Sequence, residues 1–189
     1  MVQNYNLEPV ISTLENGGLI LYPTDTVWAI GCDATNPSAL DRVFELKKQP
    51  RSAPFVMLAA DIDMLKNFVK NIHPRVETLL LFHTRPLTVI YEQCKNLPLN
   101  ACAANGSVAI RIPHDDFCKS LLEAFGKPIV ATTAQVSGTP MPKHFGEISS
   151  DIIMGVDHVV KHRTLDKDMG ELSVLARLNN EEELEFLRE

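Results

Sequence analysis

The sequence predicts an α/β (α+β) fold, a single domain in which a mixed β-sheet is flanked by helices. Three observations carry that expectation. Short apolar runs of strand length recur between Pro and Gly punctuation. Stripes of helical period lie between several of them. The two signals mix without the strict alternation that builds a wholly parallel sheet.

The elements follow in order. Leu7, Val10, Ile11 and Leu14 fall on one helical stripe, and Gly17-Gly18 can end it. LILYP (19–23), stopped by Pro23, reads as a buried strand, and VWAIGC (27–32) as a second. Asn36-Pro37 is an N-cap and first-turn pair. The helix it opens turns Leu40, Val43, Phe44 and Leu46 inward and runs out at Lys47-Lys48. FVMLAA (55–60) is the next strand, and Asp61 or Asp63 caps a short helix. A further helix starts near Pro74 and carries Val76, Leu79, Leu80 and Phe82. PLTVIYE (86–92) and SVAIRIP (107–113) alternate as strands, with a loop or crossover over 93–106. Asp115 or Asp116 caps a helix containing Phe117, Leu121, Leu122 and Phe125, closed by Gly126. IVATT (129–133) is a buried strand, and 134–146 is loop. Short strands are expected at DHVVK (157–161) and LSVLARL (172–178). A strand at DHVVK keeps His158 and His162 from pairing on a metal as helical neighbours would.

With 189 residues, 45% of them hydrophobic, the chain can bury a real core, and one domain over 1–189 is expected. The start MVQNYNLEPV lacks the basic and apolar regions of a secretory signal. No apolar run approaches the roughly 18 residues that a membrane helix needs. The four cysteines, Cys32, Cys94, Cys102 and Cys118, form no CxxC pair, so packed reduced thiols in a cytoplasmic protein are expected. Net charge is −6. Residues 1–146 carry 13 basic and 13 acidic side chains, whereas 147–189 carry 5 and 11. The deficit therefore lies wholly in the C-terminal part, where Glu181, Glu182, Glu183 and Glu185 read as a solvated helix face. The neutral part leaves room for a local basic surface, its densest cluster being Lys47, Lys48 and Arg51.

Three loops carry chemistry. Tyr22-Pro23-Thr24-Asp25-Thr26 places two hydroxyls and a carboxylate where strand backbones end, which suits either a polar ligand or a self-bonded turn. Lys47, Lys48 and Arg51 at a helix C-terminus either complement the dipole or meet a phosphate. Thr132 through Gly138 follows a buried strand, and its hydroxyls either serve the turn or face an anion.

Together and in this order these segments resemble the YrdC-like family. GGLILYPTDTVWAIGCDATNPSALDRVFELKKQPRSAPFVML resembles the family opening, and PLTVI, VAIRIP and PIVATTAQVSG match three later blocks. The resemblance is strongest over 7–150. It implies a single YrdC-like domain with a twisted mixed sheet and a large concave, positively charged cavity. It also implies a threonylcarbamoyl-AMP synthase, a nucleotidyltransferase that joins L-threonine, bicarbonate and ATP, with Mg²⁺ on the ATP, and releases pyrophosphate. The product serves tRNA threonylcarbamoyladenosine modification through partner proteins. The alternative it implies is a non-synthase paralogue that binds double-stranded RNA, tRNA or a nucleotide in the same cavity.

Carried over by position, Thr24, Thr26 and Thr133 would hold threonine. Lys47 and Arg111 would be the catalytic cations, and Lys47, Arg51, Arg111, Thr133, Gln135 and Ser137 would hold the nucleotide. This sequence departs from the family pattern at four places. Gln49 replaces the Arg of Lys-x-Arg, Gln135 the Asn of Ser-x-Asn, Trp28 and Ala29 a Tyr-Gly, and Arg85 a Gly. A YciO-like subgroup also departs at the lysine-arginine block. The short C-terminal tail implies no second domain.

Overall fold

The computed structural model of the chain describes residues 5–167 and 170–189. Helix α1 (Glu8–Glu15) buries Val10 and Leu14. Strands β1 (Ile20–Pro23) and β2 (Trp28–Gly31) then form an antiparallel hairpin in which every residue is buried. That is why their sequences are continuous apolar runs and not alternating ones. Asn36 caps α2 (Pro37–Lys47) by accepting the N–H groups of Ser38 and Ala39. The helix stops at Lys48, which is left-handed at φ 50°. After β3 (Val56–Leu58), Asp61 caps α3 (Ile62–Lys66), and His73 caps α4 (Pro74–Phe82) through Nδ1.

Strands β4 (Leu87–Tyr91) and β5 (Val108–Arg111) pair antiparallel, so 93–106 is not a crossover but a long hairpin connection with one 3-10 turn at Leu99–Ala101. Asp115 caps α5 (Asp116–Phe125), closed by Gly126 at φ 72°. Then come β6 (Ile129–Val130), β7 (Thr132–Thr133), α6 (Ser150–Gly155), β8 (His158–Val159), β9 (Val174–Leu178) and β10 (Leu184–Arg188).

The strands form two mixed sheets among the described residues. One runs β7-β2-β1-β8 and the other β10-β9-β4-β5-β3-β6. The run IVATT, expected as one strand, divides at Ala131. Its first half pairs with β3 in the larger sheet, and its second half with β2 in the smaller. The two faces of β1 feed two cores. Leu19 and Leu21 pack with α2, and Ile20 and Tyr22 pack with α1 and α5.

Three expectations are corrected and one element is added. Phe82 is 78% exposed, because α4 turns only Val76 fully inward. The acidic run is not a helix face. It forms the β9–β10 turn and enters β10, with Asn179 Oδ1 accepting the N–H groups of Glu181 and Glu183. Asx side chains that bond their own backbone favour such turns. α6 has no counterpart in the sequence pattern, since six residues with one buried Ile152 give too little periodicity. Cys94 and Cys102 form a disulfide, while Cys32 and Cys118 are free and buried. The hairpin connection brings the first two together over eight residues, which no spacing rule anticipates. Among the described residues no helix is long and apolar enough to cross a membrane.

Two measurements check this architecture. Alkylation of the denatured, unreduced protein is expected to label two cysteines, rising to four after reduction; labelling of all four without reductant overturns the Cys94–Cys102 pairing. A Cβ at Gly31 would lie 2.8 Å from the backbone O of Val130 and 2.6 Å from the Tyr22 ring. Gly31→Ala is therefore expected to lower the urea midpoint by more than Asn36→Ala, which removes only a cap contributing about 1 kcal/mol.

Candidate active site

The β1–β2 turn is built from its own hydroxyls. Thr24 Oγ1 donates to the Val27 carbonyl at 2.8 Å and accepts the N–H groups of Thr26 at 3.1 Å and Val27 at 3.2 Å. The two threonine hydroxyls lie 2.9 Å apart. A hydroxyl has one proton, and that of Thr24 is spent on Val27, so Thr26 is the donor in this pair. The turn reading and the site reading both hold here. Thr24 folds the loop, and Thr26 faces a cation.

That cation is Arg111, at the end of β5 and 4% exposed. Its Nη1 donates to Thr26 Oγ1 at 2.8 Å and lies 3.3 Å from Asp25 Oδ1. Asp25 is itself positioned by the His114 N–H, which donates to its Oδ2 at 3.2 Å. Arg111 Nε is buried with no hydrogen-bond partner among the described residues. A buried charged donor without an acceptor is costly and rare.

Lys47 is only 2% exposed. Its Nζ donates to the carbonyls of Thr133 and, at 2.8 Å, Gln135. Its own carbonyl accepts the Ser137 N–H at 2.7 Å. One residue thus ties the end of α2 to the loop after β7 at both of its ends. Burial lowers the ammonium pKa from its ordinary 10.5 to about 8.

Thr24, Thr26, Arg111, Thr133, Gln49 and Arg188 line one cavity of about 190 Å³. The hydroxyl-bearing loops and Arg111 therefore converge, without the Lys47 that was expected beside them. The other expected contacts lie elsewhere. Lys47 stands behind the cavity wall, engaged by carbonyls. Gln135 Nε2 donates to Thr139 O, and Ser137 is held by Lys47. Arg51 Nη1 pairs with Asp41 Oδ1 at 2.6 Å on the exposed side of α2. The Lys47, Lys48 and Arg51 cluster is thereby dissolved, with one member buried and one neutralised. Trp28 is core, its ring 4.9 Å from that of Phe145, and His162 packs against Phe117 and Tyr5.

Arg188 and Ser173 were missed by the sequence reading. Arg188 Nε donates to Ser173 O at 2.9 Å, and Ser173 Oγ lies 2.7 Å from Thr88 Oγ1. Burial, and then the charge of Arg111, lower the Arg188 pKa. The approach is close here, because a Cβ at Gly170 would sit 3.2 Å from the Thr26 carbonyl. The available signal was the strand-length run Leu184–Arg188, which an acidic-helix reading of the preceding residues obscured. Two guanidinium groups against one carboxylate make the wall positive, suited to an anionic guest.

Comparison with known proteins adds a second line. A family model for Sua5, YciO and YrdC, described as telomere recombination, matches residues 12–189. A threonylcarbamoyl-AMP synthase of Xanthomonas euvesicatoria is 28% identical over 167 residues, 87% of this chain and 89% of that protein. One of Vibrio parahaemolyticus is 30% identical over 138 residues, 71% of this chain and 75% of that one. The crystal structure of Pyrococcus abyssi Sua5 complexed with L-threonine superposes with a TM-score of 0.79 at 26% identity, over 91% of this chain and 50% of that chain. This chain thus spans half of that protein. E. coli YciO shares the fold, with a TM-score of 0.80 at 20% identity over 97% of this chain and 88% of its own.

The burial of Lys47 has a measurable consequence. Below pH 8 the folded and unfolded chains both hold its proton, and the cost of burying the charge is present in full. Between about pH 8 and 10.5 the unfolded chain keeps a proton that the folded chain has released, so stability from this group rises with pH. The urea midpoint of the protein is expected to rise over that window relative to Lys47→Met. A difference that stays flat overturns the assignment.

Proposed function

The chain belongs to the Sua5/YciO/YrdC family, and on that footing we propose that it is a threonylcarbamoyl-AMP synthase acting as one domain over 1–189. L-Threonine and bicarbonate give the carbamate with loss of water. A carbamate oxygen then attacks the α-phosphorus of ATP, the bond to the bridging oxygen breaks, and pyrophosphate leaves. The product supplies tRNA threonylcarbamoyladenosine formation. The observation that carries this reading is the convergence of Arg111, the Thr24–Thr26 turn, Thr133 and a second arginine, Arg188, on one cavity.

Each residue has a part in it. Arg111 supplies positive charge to the carboxylate of the amino acid. Its Nη1 stays on Thr26 and fixes the plane of the guanidinium. Arg188 offers a second charge to the same anion or to a phosphate. Thr133 meets the nucleotide, and Gln49, whose Nε2 donates to Ala53 O at 2.7 Å, lines the same cavity. Lys47 acts as a positioning residue, since it holds the carbonyls of Thr133 and Gln135 and sets the direction of that loop. The work is positioning plus charge neutralisation, which this reaction type needs more than a nucleophile. Mg²⁺ belongs with the triphosphate as part of the substrate. Among the described residues no three His, Cys, Asp or Glu side chains group to hold a metal, and Asp25 is engaged by Arg111.

The test is pyrophosphate release that requires ATP, L-threonine and bicarbonate together. Release that persists without threonine, or none at high enzyme concentration with Mg²⁺, overturns the proposal. Gln49 provides the quantitative check, since a neutral amide stands where the family pattern has a guanidinium. A hydrogen bond to a charged group contributes roughly 1.5–3 kcal/mol, so Gln49→Arg is expected to raise kcat/KM for ATP by about 10- to 150-fold. Thr26→Val, which removes the acceptor of Arg111 Nη1, is expected to raise the KM for threonine about tenfold or more.

A further inference from the structure

The segment after β8 reaches the β1–β2 turn from outside the cavity. Arg163, on that segment, has a left-handed backbone at φ 57°. The conformation is uncommon for any residue but glycine, and it persists where the surroundings hold it. A tight turn holds it here. Arg163 O accepts the Asp166 N–H at 3.2 Å, and Arg163 Nε donates to Asp166 Oδ2 at 2.7 Å.

The other end of the guanidinium serves the site. Arg163 Nη1 donates to the Thr24 carbonyl at 3.1 Å. Thr24 is 1% exposed, so that carbonyl depends on a donor from the protein. The same Nη1 lies 3.9 Å from Asp115 Oδ2, at the start of α5. The neighbouring His114 gives its backbone N–H to Asp25 Oδ2. Gly170 passes so close that a Cβ there would lie 3.2 Å from the Thr26 carbonyl. The back of the turn is thus gripped at each residue, Thr24 by Arg163, Asp25 by His114 and Thr26 by Gly170. Only the grip of Arg163 is made by a side chain. A guanidinium suits it, because a rigid planar fork can bond Asp166 and Thr24 at once in fixed directions, whereas an ammonium is a point charge. Thr24 Oγ1 in turn accepts the N–H groups of Thr26 and Val27, and the Thr26 hydroxyl meets Arg111 in the cavity. A shift of Thr24 is therefore passed to both.

We propose that Arg163 is a positioning residue for threonine binding, holding the Thr24 carbonyl and through it the Thr26 hydroxyl that faces Arg111. It does not line the cavity and acts on the substrate through the turn. The proposal rests on the reading of that cavity as the threonine site.

Arg163→Gly removes the guanidinium and suits the local backbone, because glycine adopts a left-handed conformation freely. Amide hydrogen exchange is followed residue by residue in the full-length protein without ligand. Exchange at Thr26 and Val27, whose N–H groups bond Thr24 Oγ1, is expected to speed up about tenfold, with the amides of α4 and β4 unchanged. Calorimetric titration with L-threonine should show binding about tenfold weaker, the loss of one hydrogen bond from a charged donor. In pyrophosphate release the KM for threonine should rise by the same factor, while kcat and the KM for ATP stay as they were. Four results overturn the proposal: exchange at Thr26 and Val27 that does not change; exchange that rises evenly along the chain; threonine binding that is unaltered although the turn has loosened; or equal losses towards threonine and ATP. A wild-type protein that binds no threonine overturns the threonine-site reading instead, and the exchange measurement still decides whether Arg163 holds the turn.

Discussion

The molecule turns on one buried guanidinium. Arg111 ends the central β5 of the larger sheet, yet its partners, Thr26 and Asp25, lie in the hairpin turn of the smaller one. The two sheets are thus joined, at the candidate site, by a charge that cannot be left unpaired. Removing one partner from such a pair strands the other and costs about 3–5 kcal/mol, whereas the intact pair adds little net stability. Its value is geometric. It fixes the β1–β2 turn against β5 and sets a positive charge in the cavity wall.

A second cation stands behind the cavity wall. Lys47 gives its ammonium to the carbonyls of Thr133 in β7 and Gln135 after it, and its carbonyl to Ser137, and it does so from the last turn of α2. A helix C-terminus is a favourable place for positive charge. The arrangement also explains why the strand beginning at Ile129 changes sheet. Ala131 donates its N–H to Val56 O, and Ala134 donates to Trp28 O, so successive backbone groups serve the two sheets in turn. Thr133 is delivered to the cavity by that switch. Neither cation behaves as a loose surface charge, although Lys47 looks like one in sequence.

Legibility followed the range of the interactions. Caps, turns and amphipathic stripes are local: Asn36 and Asp115 stand where their side-chain oxygens cap a helix, and Gly126 where the lack of a Cβ permits a left-handed close. The glutamates before Leu184 misled because a charge run has no period of its own. What set their conformation was Asn179, bonding two N–H groups of a tight turn, together with the free edge of β9 that β10 covers. Arg188 could not be placed before that pairing was known, because its reach to the cavity depends on the last strand lying beside Val174 and Leu175 and returning to Ser173.

By itself the sequence determined the mixed α/β class and most helix starts, and its resemblance to the YrdC-like family pointed to Thr24, Thr26, Arg111 and Thr133, which line one cavity. Only the tertiary structure decided that Lys47 faces carbonyls, that Arg51 turns to Asp41, that Arg188 completes the positive wall, and that Cys94 meets Cys102. The physical reason is common to all four. The direction of a long side chain is set by the partner that satisfies it, and those partners lie in other elements, beyond the reach of any local pattern.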